Sequence, residues 1–287
     1  MLEKLIHIFD LDIQHSAPVE NSFSSTVYRC VQANSETVYI KIPFSKVKLF
    51  RELEAYRLLK AHIPIPTLLD FWTGDEHSSG ALLLKESIGV QLSVDSSATI
   101  AFQVGEVHAK MHSIPPPTNQ KITYIENVFQ EWPQFLDRQF YSFATDAKPL
   151  LEESLYNKAI HTFEKMKLQL PEPDGPSFIH MDFRPGNILV TSSEVSSLID
   201  FETVRFGSTE VDFTKIYRDY LSHDLQLYEA YQEGYTSIRP LIDLERVLPF
   251  YRFTDAFNSI GWCNRRGLKQ NIDFYERNLD ILKAEIS

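Results

Sequence analysis

The sequence predicts an α+β protein of two lobes, a small N-terminal lobe with an antiparallel sheet and a larger, mainly helical C-terminal lobe. Segments rich in β-branched and aromatic residues alternate with one helical pattern near the N-terminus, and helical patterns dominate from residue 98 onward. The chain has 287 residues, and single cores stop growing near about 250–300 residues. This length allows two lobes. Around residues 86–95 the chain turns polar and contains a glycine, as expected of a crossing between lobes, so we assign residues 1–87 to the N-terminal lobe and 88–287 to the C-terminal lobe.

The N-terminal lobe begins with a short amphipathic segment at 2–12. Runs of β-branched and aromatic residues then predict strands at 25–32, 36–43, 67–74 and 81–87. A helical pattern over 47–62 separates the two pairs of strands and ends before Pro64, because proline cannot continue a helix. The order strand, strand, helix, strand, strand follows.

The C-terminal lobe opens with a helix that starts near residue 98 and stops at the prolines 115–117. Further helical patterns occupy 126–168 and 211–286. Between them lie two short apolar runs, NILVT (187–191) and SSLIDF (196–201). These runs predict a small β-structure inside a helical lobe.

The formal net charge is −11, from 28 basic and 39 acidic side chains. Such a balance argues against a nucleic-acid partner, which would need clustered lysine and arginine to meet phosphates. An acidic cleft concentrates positive ligands, so the charge permits a cationic substrate.

The N-terminus and the apolar runs argue against a secreted or membrane protein. Glu3, Asp10 and Asp12 interrupt the first apolar stretch, unlike a signal peptide, and no apolar run approaches the ~18–20 residues that span a bilayer. Cys30 and Cys263 show no CxxC spacing, so neither a disulfide framework nor a zinc site is indicated. We expect a cytoplasmic protein without a membrane partner.

The strongest motif is FIHMDFRPGNILV (178–190) followed by SSLIDFE (196–202). Asp182 and Asn187 are five residues apart, and Asp200 follows a strand–turn–strand that should return it close to Asn187. Phosphoryl transfer needs a carboxylate that takes the proton of the acceptor hydroxyl. It also needs oxygen ligands that hold magnesium on the phosphates.

These segments resemble the catalytic loop and metal-binding segment of the protein-kinase-like superfamily, H-R-D-x-x-x-x-N and D-F-G. The chain reads H-M-D-F-R-P-G-N and I-D-F-E. In these departures the chain resembles aminoglycoside phosphotransferases and choline kinases, although Met181 stands where that family usually has glycine. The resemblance implies a bilobal protein-kinase-like fold and a phosphotransferase that uses ATP or GTP with Mg2+.

Carried over residue by residue, the resemblance makes Asp182 the catalytic base and Asn187 and Asp200 the magnesium ligands. Arg184 occupies a position where protein kinases carry a phosphate-contacting lysine. His180 and Asp212 would brace the catalytic loop.

Lys41 in the predicted strand VYIKI (38–42) has apolar neighbours, and a buried ammonium needs a partner. The family places such a lysine on the nucleotide phosphates and pairs it with a glutamate of the next helix. Glu54 is the preferred partner, and Glu52 is the competing choice.

The remaining nucleotide contacts are expected at two segments. No glycine occurs before Gly74, so the serine-rich segment 20–29, with Ser22, Ser24 and Ser25, takes the place of a glycine-rich phosphate loop. The segment 82–92 resembles the family's hinge. Its candidate main-chain contacts to the base are Lys85, Glu86 and Ser87.

The acceptor is expected to be a small, cationic molecule with a hydroxyl group, bound between the catalytic loop and the C-terminal helices. Candidate residues there are Tyr217, Arg218, Asp219, Asp224, Asp255, Asn258, Trp262 and Glu276. Two alternatives stay open: a metabolic kinase for choline, ethanolamine, homoserine or a sugar, and a kinase-fold binding protein without turnover.

Overall fold

An antiparallel sheet forms the N-terminal part of the computed structural model, which describes residues 1–20, 25–118 and 122–286. The sheet order is β1-β2-β3-β5-β4. Its strands are β1 (Ile13–Pro18), β2 (Ser25–Gln32), β3 (Thr37–Pro43), β4 (Leu68–Trp72) and β5 (Ala81–Lys85). The strands predicted at 25–32, 36–43, 67–74 and 81–87 are all present, the last two slightly shorter.

The structure adds β1, a strand that the sequence does not predict. Among the residues that the structure describes, this edge strand pairs with β2 alone, antiparallel, and it ends at Pro18. Its polar composition and terminal proline are typical of an edge strand, because an edge position leaves one side of the backbone unpaired.

Two helices cover the two faces of this sheet, α1 (Leu2–Ile8) and α2 (Lys46–Leu59). Leu5 of α1 packs with Val38 and Ile40 of β3, whereas the apolar side of α2 belongs to the main core of the protein. Side chains alternate along a strand, so Lys41, next to Ile40, points to the opposite face, towards α2. The Ser45 hydroxyl caps α2 by accepting from the Lys48 N–H at 3.3 Å.

The C-terminal part is mainly helical, as predicted. Its helices are α3 (Ala98–His112), α4 (Trp132–Ala147), α5 (Glu153–Lys167), α6 (Phe213–Asp219), α7 (Leu225–Thr236), α8 (Leu244–Arg266) and α9 (Ile272–Glu285). Helix α3 packs against α7, and α8 packs against α4 and α9. Gly105 and Gly234 allow the close α3–α7 approach, because a Cβ at either position would overlap the backbone of the other helix.

Short strands lie between these helices and position the catalytic loop. They are β6 (Val90–Gln91), β7 (Ser177–Ile179), β8 (Ile188–Val190), β9 (Val195–Leu198) and β10 (Arg205–Gly207). Strands β8 and β9 form the predicted hairpin, with β6 paired to β8, while β7 pairs with β10.

One continuous core runs from α2 through the C-terminal helices. The lobe boundary at 87/88, just before β6, therefore stays a prediction. Within the described ranges, no helix is both long and apolar enough to cross a membrane.

Candidate active site

The catalytic loop follows β7 and joins Asp182 to Asn187. The Asn187 side-chain amide Nδ2 donates to Asp182 twice, to its backbone oxygen and to Oδ2, each at 2.9 Å. A short 3-10 helix, Pro185–Asn187, makes this closure possible and leads directly into β8. The amide and the carboxylate thus meet as the sequence predicts.

The β8–β9 hairpin returns Asp200 to the same place. The Ile199 N–H donates to the Asn187 carbonyl at 3.0 Å, which fixes the chain beside Asp200. Lys41 Nζ from the N-terminal sheet donates to Asp200 Oδ1 at 2.8 Å. The Asp200 side chain is 31% exposed, so its carboxylate remains partly accessible.

Lys41 lies among three carboxylates. Its Nζ donates to Glu52 Oε1 at 2.8 Å as well as to Asp200, and Glu202 Oε1 is 3.5 Å away. Burial alone would lower the pKa of Lys41, but these three acids raise it well above its ordinary value. Lys41 is therefore a buried cation at the junction of the two parts of the fold.

The preferred pairing of Lys41 with Glu54 is wrong, and the competing choice, Glu52, is right. Residues two apart on a helix do not share a face. Glu52 points to Lys41, whereas Glu54 accepts from the backbone N–H groups of residues 123–125 at 2.8–2.9 Å. Glu54 therefore anchors an ordered segment of the C-terminal part and does not hold the lysine.

Glu202 replaces the glycine of the D-F-G pattern and has a structural partner of its own. Its Oε2 accepts from Lys48 Nζ of α2 at 2.7 Å, and its backbone oxygen accepts from Arg51 Nη1 at 3.0 Å. These bonds tie the segment around Asp200 to α2.

Asp182 is surrounded by cations. Arg184 Nε donates to Asp182 Oδ2 at 3.0 Å, and Lys215 Nζ donates to Oδ1 at 2.5 Å. Burial alone would raise the pKa of Asp182, but Lys215 and Arg184 hold it well below its usual range. Asp182 is therefore ionised and able to accept a proton. Lys215 was not predicted, because no motif marks it in the sequence.

Asp212 clamps the loop that carries Asp182. Its carboxylate accepts from the His180 N–H at 2.5 Å and from the Met181 N–H at 2.7 Å. Met181 has a φ of 67°, in the left-handed region that favours glycine. This backbone conformation accounts for the glycine usual at this position in H-G-D motifs.

Two buried histidines of α3 complete the clamp. His112 Nε2 lies 3.3 Å and His108 Nε2 3.8 Å from Asp212 Oδ2, and their Nδ1 atoms bond to the hydroxyls of Tyr235 and Tyr231. A cluster of two histidines and an aspartate could hold a metal ion. Here Asp212 already accepts two backbone N–H groups, and burial lowers the pKa of His108 to about 3. We interpret the cluster as a structural brace, with a neutral His108 beside the Asp212 carboxylate.

The predicted nucleotide contacts are placed only in part. Ser25 begins β2 opposite Pro43, while Ser22 and Ser24 lie outside the described residues. In the hinge, the N–H groups of Lys85 and Glu86 donate to the carbonyls of Thr67 and Thr37. Their main-chain N–H groups are therefore already bonded within the protein.

The predicted acceptor region is rich in internal ion pairs. Arg218 donates to Asp219 through Nε and Nη2 at 2.8 and 2.7 Å and also contacts Asp255. Arg277 Nη2 donates to Asp219 at 2.6 Å. Asp224 caps α7 by accepting from the Gln226 N–H at 2.7 Å. The carboxylates expected to receive amino groups of the acceptor are therefore already occupied at Asp219 and Asp255.

A bilobal fold with this cluster of carboxylates, amide and lysine is typical of protein-kinase-like phosphotransferases. The model of the phosphotransferase enzyme family matches residues 15–250. The chain belongs to this family.

Solved structures of phosphotransferases share the fold over nearly their whole length. The GDP and kanamycin complex of APH(2")-IIia has a TM-score of 0.79 at 15% identity, with 99% of this chain and 97% of that chain covered. Spectinomycin phosphotransferase APH(9)-Ia, solved with ADP and spectinomycin, has a TM-score of 0.74 at 17% identity, covering 99% and 98%. Macrolide 2'-phosphotransferase MphH from Brachybacterium faecium has a TM-score of 0.69 at 16% identity, covering 97% of both chains. No curated protein sequence matches the chain.

Proposed function

We propose that the protein transfers the γ-phosphoryl group of ATP or GTP to a hydroxyl of a small molecule. The observation that carries the proposal is the meeting of Lys41, Asp182, Asn187 and Asp200 in one region of the fold. Lys41 bonds to Asp200, Asn187 bonds to Asp182, and the N–H of Ile199, next to Asp200, donates to the Asn187 carbonyl. The structural relatives solved with GDP or ADP support a nucleotide as the donor.

Asn187 and Asp200 fit a magnesium site. Asn187 Nδ2 is used on Asp182, which leaves the amide oxygen for a cation, and Asp200 adds a partly exposed carboxylate. Hard oxygen ligands of this kind suit Mg2+, which keeps several waters and needs few protein ligands. Bound Mg2+ would neutralise charge on the nucleotide phosphates. Lys41, now held by Asp200 and Glu52, would contact the same phosphates.

The transfer itself needs little covalent chemistry from the protein. Asp182, held ionised by Lys215 and Arg184, orients the acceptor hydroxyl and takes its proton. The hydroxyl oxygen forms a bond to the γ-phosphorus, while the bond from this phosphorus to the oxygen bridging it to the β-phosphate breaks. The nucleoside diphosphate leaves with that oxygen. Arg184, beside Asp182, would stabilise the transferred group.

The acceptor proposed from the sequence is a small molecule that carries positive charge. The net charge of −11 supports it, as do the relatives solved with kanamycin and spectinomycin. A nucleotide-dependent reaction of this kind also goes with the cytoplasmic location expected from the sequence, where ATP and GTP are available.

A nucleotide-consumption screen tests the proposal. The wild type is supplied with ATP or GTP, Mg2+ and aminoglycosides, macrolides, choline, sugars or amino alcohols, and an Asp182→Asn variant is run in parallel. We expect consumption that depends on at least one acceptor, lowered about 10²–10⁴-fold in the variant, the usual contribution of a positioned general base. Nucleotide binding without turnover of any acceptor would favour a kinase-fold binding protein instead.

A further inference from the structure

One carboxylate oxygen of Asp182 is left for the acceptor hydroxyl. Oδ2 accepts from Arg184 Nε and from Asn187 Nδ2 at 3.0 and 2.9 Å, which fills the two lone-pair directions of that oxygen. Oδ1 accepts from Lys215 Nζ at 2.5 Å, and no second donor among the described residues is bonded to it. A hydroxyl that gives its proton to Asp182 must therefore approach Oδ1, beside Lys215.

Lys215 is a charged residue that lies beside the catalytic base. It belongs to α6, and its side chain is 28% exposed. Burial alone would lower the pKa of Lys215, but Asp182 and Asp255 of α8 raise it. Lys215 lies near α8 and bonds to Oδ1, the oxygen that the acceptor hydroxyl must approach. Its ammonium group can therefore contact the chemical group next to that hydroxyl on the acceptor.

Lys215 and Arg184 share one carboxylate, that of Asp182, as their ion-pair partner. Arg218 and Arg277 are matched by Asp219 and Asp255. At Asp182 itself, two cations, Lys215 and Arg184, face a single carboxylate. Two cations on one carboxylate leave Lys215 able to bind an anionic ligand group next to Oδ1.

We propose that Lys215 binds an oxyanion of the acceptor, so that the hydroxyl to be phosphorylated lies next to a carboxylate or a phosphate group. The inference rests on the phosphotransferase function proposed above. An ammonium group at the same place would lie against Lys215 and Arg184, and like charges at contact distance repel. Amino groups on a distant part of the acceptor are compatible with this arrangement.

The test uses four three-carbon acceptors that differ in one group: glycerate, glycerol 3-phosphate, glycerol and 3-amino-1,2-propanediol. Nucleotide consumption gives kcat/KM for each with the wild type, Lys215→Met and the charge-retaining control Lys215→Arg. Titration of the same compounds into enzyme with Mg2+ and a non-hydrolysable nucleotide gives binding without turnover. The comparison of glycerate with glycerol 3-phosphate separates a carboxylate from a phosphate.

We expect the wild type to prefer an oxyanion over glycerol and over the amine. The ratio of oxyanion to glycerol should fall about ten- to hundredfold in Lys215→Met, the usual effect of one charged hydrogen bond, and persist in Lys215→Arg. A purely structural role of Lys215 would change all four acceptors alike and leave the ratio unmoved. Oxyanions that neither react nor bind better than glycerol would overturn the inference. Failure to bind any Mg-nucleotide would instead count against the proposed function.

Discussion

Lys41 Nζ donates to Glu52 Oε1 at 2.8 Å, whereas Glu54, two residues later on α2, accepts three backbone N–H groups from residues 123–125. Glu52 therefore positions Lys41, whereas Glu54 holds the backbone of residues 123–125. We expect Glu52→Gln to weaken Mg-nucleotide binding about tenfold, because Lys41 loses a charged partner that positions it.

The matched variant Glu54→Ala separates the two roles. It should lower the free energy of unfolding by about 1–3 kcal/mol, since buried N–H groups are left unsatisfied, and leave nucleotide binding of the folded protein nearly unchanged. Isothermal titration and urea unfolding measure the two effects. Stronger loss of nucleotide binding in Glu54→Ala than in Glu52→Gln would contradict this assignment.

Asp212 should be one of the most sensitive positions of the C-terminal part. Burial alone would raise the pKa of Asp212, but its contacts with His108 and His112 hold it well below its usual range. The contribution of ionised Asp212 to the stability of the fold is therefore present at neutral pH and is lost as the pH falls below about 4. We expect Asp212→Asn to lower the free energy of unfolding at pH 7 by about 2–4 kcal/mol, because an amide offers one acceptor oxygen in place of two.

The control for Asp212→Asn is Asp224→Asn at the N-cap of α7, where asparagine caps about as well as aspartate. Urea unfolding of both variants gives the comparison. Equal stability of the two variants would remove Asp212 from its role as the clamp.

Glu210 gives the protein a pH-dependent stability. This side chain is 3% exposed, and burial raises its pKa to about 7. The native state thus keeps a proton on Glu210 that the unfolded state releases at lower pH. The contribution of Glu210 to the free energy of unfolding therefore falls as pH rises from about 4.5 to about 7. Glu210→Gln should flatten the fall, with a gain on the order of 2 kcal/mol at pH 8 relative to pH 5. Urea unfolding at the two pH values measures it, and parallel pH profiles of variant and wild type would argue against the assignment.

The backbone at Met181 predicts a difference between two substitutions. At a φ of 67° glycine is unstrained, whereas a β-branched residue is strongly disfavoured. We expect Met181→Gly to keep nucleotide binding and to be more stable than Met181→Val by about 1–2 kcal/mol. Thermal unfolding ranks the two variants, and equal melting temperatures would show that the strain is relieved by a backbone shift.

The sequence predicted best what local connectivity determines. Asp182, Asn187 and Asp200 come together because one loop and one short hairpin join them, and both are readable from spacing and apolar runs. The periodicity of apolar residues likewise predicts the α+β class and the helical C-terminal part.

Features that depend on tertiary packing could not be predicted. Whether Glu52 or Glu54 faces Lys41 depends on the rotation of α2 over the sheet, and neighbouring glutamates fit the pattern equally well. Lys215 reaches Asp182 only because α6 packs beside the catalytic loop. Strand β1 is not predicted from the sequence, because a polar edge strand need not show the alternation of apolar and polar residues that marks other strands.

Titration calorimetry of ATP and GTP with and without Mg2+ tests the magnesium-centred site most directly. The wild type should bind at least one nucleotide in a Mg2+-dependent manner, Asp200→Asn should lose that dependence, and Asp182→Asn should retain it because Asp182 acts on the acceptor. Nucleotide binding by the wild type that does not depend on Mg2+, or Mg2+-dependent binding that is unchanged in Asp200→Asn, would contradict a magnesium site at Asp200.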